Sequence, residues 1–173
     1  MQDCIFCKII KKEIPSLRIY ENEHAVAMLD VKPLAPGHTV VVPKEHVSLF
    51  EDLSDDATHK IFLTVREAVK MIKSSALNPD AFTIGINDGK AAGQFVPHLH
   101  VHIIPRYEKD GGGSVHMIVQ NPPSEDLKSI HDKIIKVASD DVPQQPEKKI
   151  EDMKAKGESL EERIKRLERE LGL

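Results

Sequence analysis

Hydrophobic positions change period several times along the chain, and each change marks an element. Ile5, Phe6, Ile9 and Ile10 are spaced as on a short helix from Cys4 to Lys12, which Glu13-Ile14-Pro15-Ser16 stops. Leu17–Tyr20 and Ala25–Leu29 read as two strands of a hairpin. Asp30 to Gly37 is a loop by its prolines and glycine, and His38 to Pro43 is a β-branched strand. Ile61, Val65, Ala68, Val69 and Ile72 form the apolar stripe of a helix that Ser54 or Asp55 caps and that runs to about Ser74. Ala81–Ile86 returns to strand, and Asn87 to Gln94 is a glycine-bearing loop. From Phe95 to Arg106 the pattern is strict alternation, with His98, His100 and His102 on one face and Leu99, Val101 and Ile103 on the other. Such a strand lines up three imidazoles over about 13 Å, roughly 6.6 Å apart. After Gly111-Gly112-Gly113 the pattern suggests a short strand at Val115–Val119 and a helix from Ser124 to about Ala138. Consecutive strands without crossover helices imply antiparallel pairing, giving an α+β domain at residues 1–139 with about five strands and a packed helix.

The periodicity shifts once more behind a polar, proline-broken linker at 140–146. In residues 147–173, Ile150, Met153, Gly157, Leu160, Ile164, Leu167 and Leu171 follow a heptad seam. Lys156 with Glu161 and Arg163 with Glu168 have the signs that attract across a parallel pair. This C-terminal helical extension reads as a self-association segment, with docking on its own domain as the alternative.

Composition narrows the function. The 173 residues are 40% apolar with a net charge of −4, enough for one domain with a real core and unlike the basic stripe of a nucleic-acid binder. No apolar run is long enough to span a bilayer, and Met1-Gln2-Asp3-Cys4 lacks a signal-peptide layout, so the expected setting is cytoplasmic. There, Cys4 and Cys7 form a redox or metal candidate before a structural disulfide. The histidine row is open to three readings: a catalytic metal site in a metallohydrolase, a covalent nucleophile, or an anion-binding module with little turnover. Asn87, Gly89 and Gly93 would let backbone amides approach a phosphate.

The run His98-Leu99-His100-Val101-His102-Ile103-Ile104, preceded by Ala92-Gly93-Gln94, resembles the signature of the histidine triad (HIT) superfamily, specifically its Hint-like branch. Cys4-Ile5-Phe6-Cys7-Lys8-Ile9-Ile10, Leu29-Asp30-Val31, Gly37-His38-Thr39 and Val42-Pro43-Lys44-Glu45-His46 are similar to further family blocks in the same order. The resemblance covers nearly all of residues 4–106 and leaves the heptad segment outside. It implies a HIT-like fold and hydrolysis or transfer at the α-phosphate of purine nucleotide conjugates, adenosine phosphoramidates or dinucleoside polyphosphates, through a nucleotidyl-histidine. By it His100 is the nucleophile, His102 donates to a phosphate oxygen and His38 supports the triad. Asp30 holds the ribose, Asn87, Gly93 and Gln94 meet the phosphate, and Ile5, Phe6, Ile9, Met28 and Leu29 enclose the base. The neutral imidazole fraction near a reference pKa of about 6.5 makes such a nucleophile usable at neutral pH. Where the family often carries a serine or threonine after Gly-Gln, this chain has Phe95, which cannot donate.

Cys4, Cys7, His46 and His98 are separated by gaps unlike those of a zinc finger. Some bacterial and archaeal HIT proteins resemble this chain in carrying the same four positions, which implies a structural zinc. The resemblance also implies a homodimer that joins two sheets.

Overall fold

The computed structural model describes residues 3–135 together with Glu162, Lys165, Arg166 and Arg169. The linker at 140–146 and, apart from those four positions, the heptad segment at 147–173 lie outside the described residues. Two compact units are present, Met1–Val119 and Gln120–Leu173, so the first closes ahead of the linker marked by composition. In the second, α3 spans Leu127–Ile135.

The first unit is built on one antiparallel sheet. β1 (Arg18–Glu21), β2 (Ala25–Leu29), β3 (Thr39–Pro43), β4 (Ala81–Gly85) and β5 (Val101–Arg106) lie in the order β1-β2-β3-β5-β4. Each neighbouring pair is antiparallel. Alternation along β2 and β3 is apolar on both sides, so both faces must be covered. α2 (Asp55–Lys73) covers one, with Ile61, Val65, Ala68 and Ile72 packed on Ala25, Ala27, Val41, Val101 and Ile103. Ser54 starts α2, its hydroxyl accepting the Ala57 N–H at 3.2 Å. α1 (Ile5–Ile10) covers the other, where Ile9, Phe6 and Ile10 meet Met28, Val40 and Val42. Val40 pairs with His102, which places that imidazole on the α1 side of the sheet.

Two expected strands differ. β5 begins at Val101 instead of Phe95, so only His102 of the three triad histidines lies on a strand. The pairing of Val41 with Val101 is the last on this ladder, and beyond it Pro43 has no N–H to offer an extension. The chain turns instead, with His98 N–H donating to the Val96 carbonyl at 2.8 Å and Leu99 N–H to the Val47 carbonyl at 2.8 Å. Leu99 still enters the core beside Val101 and Ile103, as alternation requires. The second difference is at Val115–Met117, a single 3₁₀ turn rather than a strand.

Ile61 is the buried side chain through which α2 seats on the sheet. Ile61→Ala is expected to lower the unfolding free energy by about 2–5 kcal/mol in urea titrations, and a loss under about 1 kcal/mol would contradict this packing.

Candidate active site

Backbone groups set the protonation of each histidine. His100 Nδ1 lies 2.8 Å from the carbonyl of His98. A carbonyl only accepts, so Nδ1 carries the proton and Nε2 keeps its lone pair. Among the described residues no fully enclosed side-chain nitrogen or oxygen lacks a partner, and His100 Nε2 has none, so it opens to the surface although the residue is only 8% exposed. The ring is held from the side by Phe6, centroid to centroid 5.1 Å.

A second chain of hydrogen bonds runs beside it. The Leu34 N–H donates to His38 Nδ1 at 3.1 Å, which puts the proton of neutral His38 on Nε2. That Nε2–H donates to His102 Nδ1 at 3.1 Å, so His102 in turn carries its proton on Nε2, as a donor. Burial pushes His38 down from its ordinary value, and burial with the neighbouring His100 and His38 takes His102 down to about 4. Both are neutral at pH 7, as the chain requires. Asp30 Oδ2 stands 3.7 Å from His38 Nε2 and 3.9 Å from His102 Nδ1, opposing these shifts, while its Oδ1 accepts the Lys32 N–H at 2.8 Å. Asp30, Leu29, Leu34 and His38 line a cavity of about 410 Å³ formed largely by the loop after β2.

His98 belongs to another cluster. It is fully buried, and its Nε2–H donates to the Pro43 carbonyl at 2.9 Å, leaving Nδ1 as a lone pair. That Nδ1 faces Cys4 Sγ at 3.4 Å, Cys7 Sγ at 3.7 Å and His46 Nδ1 at 3.1 Å, and Cys7 Sγ is 3.3 Å from His46 Nδ1. Both cysteines are free thiols, and burial together with Cys4 pushes the Cys7 thiol up. A tetrahedral zinc with sulfur at about 2.3 Å and nitrogen at about 2.0–2.1 Å has edges of roughly 3.3–3.8 Å. The three sulfur–nitrogen separations fall on those edges and the 3.1 Å between the two imidazoles is slightly shorter, so the donor set fits such an ion.

The three imidazoles of the row are therefore held in different surroundings. His98, His100 and His102 do not converge on one point, since His100 joins neither of the two donor groups that do. The other group, Asp30, His38 and His102, has a proton on His38 Nε2, and a metal there would demand an imidazolate because Nδ1 already accepts from Leu34. Among the described residues, a catalytic metal on the row would thus have to displace the proton that His38 donates to His102.

The glycine loop also differs from expectation. Gly89 and Gly93 have φ of +81° and +87°, in the left-handed region. Their loop is closed on itself: Gly93 N–H donates to Lys90, Gln94 N–H to Gly89, and Gly89 N–H to Gln94 Oε1 at 3.0 Å. Gln94 Nε2 donates to the Ser48 carbonyl, so Gln94 and Gly93 tie the loop down instead of standing free for an anion, while Asn87 is exposed. Among the expected base-pocket residues, Ile9 and Met28 are core, Phe6 packs on His98 and His100, and Ile5 and Leu29 are more open. Phe95 is 97% exposed. Residue patterns gave no sign of the Pro43 and His98 carbonyls or the Leu34 amide, because main-chain groups leave no residue signature.

A five-stranded antiparallel sheet with an imidazole nucleophile candidate, beside a hydrogen-bonded imidazole pair that joins the start of β3 to β5, defines a histidine-triad class of site. A model of the HIT domain matches residues 11–109, and the chain belongs to the HIT family. It is 48% identical over 108 residues to an uncharacterized HIT-like protein of Methanocaldococcus jannaschii, covering 62% of this chain and 82% of that one. It is 35% identical over 131 residues to the adenosine 5'-monophosphoramidase of Schizosaccharomyces pombe, covering 76% and 95%. The fold is similar to that of a zinc-bound histidine triad family protein from Mycobacterium smegmatis, with a TM-score of 0.61, 32% identity, and coverage of 72% and 85%.

Because the unfolded chain binds a proton at a histidine near pH 6.5 and folded His102 only near 4, falling pH favours unfolding across that window. Stability is expected to be full above pH 6.5 and to drop as pH falls toward 4, with His102 contributing about 3 kcal/mol. Urea titrations of wild type and His102→Gln across this range check it: the variant's slope should be shallower, and equal slopes would contradict the assignment.

Proposed function

We propose that this protein hydrolyses purine nucleotide conjugates at the α-phosphate, with adenosine phosphoramidates or dinucleoside polyphosphates as substrates. The observation that carries the reading is the hydrogen bond from His100 Nδ1 to the His98 carbonyl, which leaves Nε2 as an open lone pair. Nε2 attacks the α-phosphorus, a P–N bond to His100 forms, and the bond to the amine or phosphate leaving group breaks. The positive charge gained by the imidazole is met at Nδ1–H by the carbonyl. His102 Nε2–H donates to a phosphate oxygen as charge builds there, and His38 holds it in the donating tautomer. Water then breaks the P–N bond and releases the nucleotide. Asp30 is positioned to accept ribose hydroxyls through Oδ2, the oxygen not committed to Lys32.

Cys4, Cys7, His46 and His98 would hold a zinc ion, which supplies a structural cross-link between the N-terminal turn and the approach to β5. All four positions being protein donors leaves no coordination site for chemistry. A homodimer is part of the same reading: β4 has β5 on one side only and exposes Ile84, so its edge could continue into a second copy.

A second reading, a nucleotide-binding protein with little turnover, is favoured by the bare phenyl of Phe95 where a hydroxyl would assist departure of the leaving group. Release of AMP from an adenosine phosphoramidate separates the two. Wild type is expected to turn over, and His100→Ala to lose at least about a thousandfold in kcat/KM while keeping its zinc. Binding without turnover in wild type would establish the second reading, and activity retained in His100→Ala would overturn the first. Metal analysis should find one zinc per chain, lost in His46→Ala.

A further inference from the structure

The metal-ligand cluster and the nucleophile share one residue. His98 presents Nδ1 to the two thiols and His46, while its carbonyl holds His100 Nδ1 at 2.8 Å. α1 adds a second link: Cys4 caps its N-terminus and Cys7 lies within it, and Phe6 between them packs on both His98 and His100, at 5.8 and 5.1 Å. Both thiols are half-buried instead of sealed, and the four donor atoms lie within 4.8 Å of one another. A disulfide needs about 2.0 Å between sulfurs, so rotation of side chains three residues apart would suffice to bring them together.

We propose that Cys4 and Cys7 form a peroxide-sensitive switch that controls the placement of His100. This inference rests on the hydrolase reading above for its effect on turnover. One thiolate attacks a peroxide oxygen, the O–O bond breaks and a sulfenic acid forms as hydroxide leaves. The second thiolate attacks that sulfur, an S–S bond forms and a second hydroxide leaves. Two protons complete the balance: two thiolates lose two electrons, and hydrogen peroxide becomes two waters. The sulfurs then no longer carry the charge that ligates a cation, and both turn away from His98 Nδ1. His98 is fully buried, so losing those partners unseats the ring and, through its carbonyl, the tautomer and position of His100. Reduction by a thiol restores the donor set.

The test uses the full chain loaded with zinc and titrated with hydrogen peroxide. Four readouts are followed together: free thiols, zinc released to a chromogenic chelator, intact mass under non-reducing conditions, and kcat/KM for AMP release. The expected result is loss of two thiols and one zinc per chain, a mass lower by two hydrogens, and a fall in kcat/KM of about tenfold or more, all reversed by dithiothreitol with added zinc. Carbethoxylation of His100, read by peptide mass, is expected to speed up in the oxidised form and supplies a measure of its placement that needs no substrate. Cys4→Ser cannot form the disulfide, so the mass lower by two hydrogens should disappear in it under the same peroxide; wild type alone decides if that variant does not fold. Thiols and zinc lost with unchanged His100 reactivity would overturn the switch, as would a fall in activity with both thiols intact. If untreated protein shows no turnover, the hydrolase reading fails, and the thiol, zinc and carbethoxylation readouts still decide the switch.

Discussion

The hydrogen bond between His100 Nδ1 and the carbonyl two residues before it is the constraint on which the account depends. An imidazole free to exchange tautomers would present a lone pair at Nε2 for only part of the time. Fixing the proton at Nδ1 makes the lone pair permanent and gives the developing imidazolium an acceptor already in place. The carbonyl is turned onto the imidazole two residues on because the chain at residues 98–100 has left the sheet ladder. The end of β5 at Val101, forced by Pro43 opposite, is thus part of how the site is made.

Two further backbone groups do similar work. The Pro43 carbonyl turns His98 Nδ1 toward the cysteines, and the Leu34 amide turns the proton of His38 toward His102. Each histidine in the cluster has one ring nitrogen committed to the main chain or to a histidine so committed, and one nitrogen left to act. Burial keeps His38 and His102 neutral, which the chain of hydrogen bonds requires. The same burial makes the arrangement costly to disturb, because an imidazole that loses its partner inside the fold has no water to replace it.

Much of the fold was legible in the residues alone. The stripe of α2, the β-branched run of β3 and the cap at Ser54 are local patterns, and each appears where periodicity puts it. The start of β5 was not legible, because alternation continues through Pro97 while the ladder does not. The glycines at 89 and 93 suggest amides free to approach a phosphate, yet Gln94 folds back to close that loop, a contact that spacing does not reveal. Cys4, Cys7, His46 and His98 come from α1 and its cap, the segment after β3 and the approach to β5; the C-x-x-C pair marks the cysteines as metal candidates, and resemblance to a family joins His46 and His98 to them.

The central claim is that the main chain sets the tautomers of this cluster, and nitrogen-15 NMR of the histidine side chains at pH 7 tests it most directly. The account predicts His100 protonated at Nδ1, with His38 and His102 both protonated at Nε2. His100 protonated at Nε2, or in rapid exchange between its two tautomers, would contradict it.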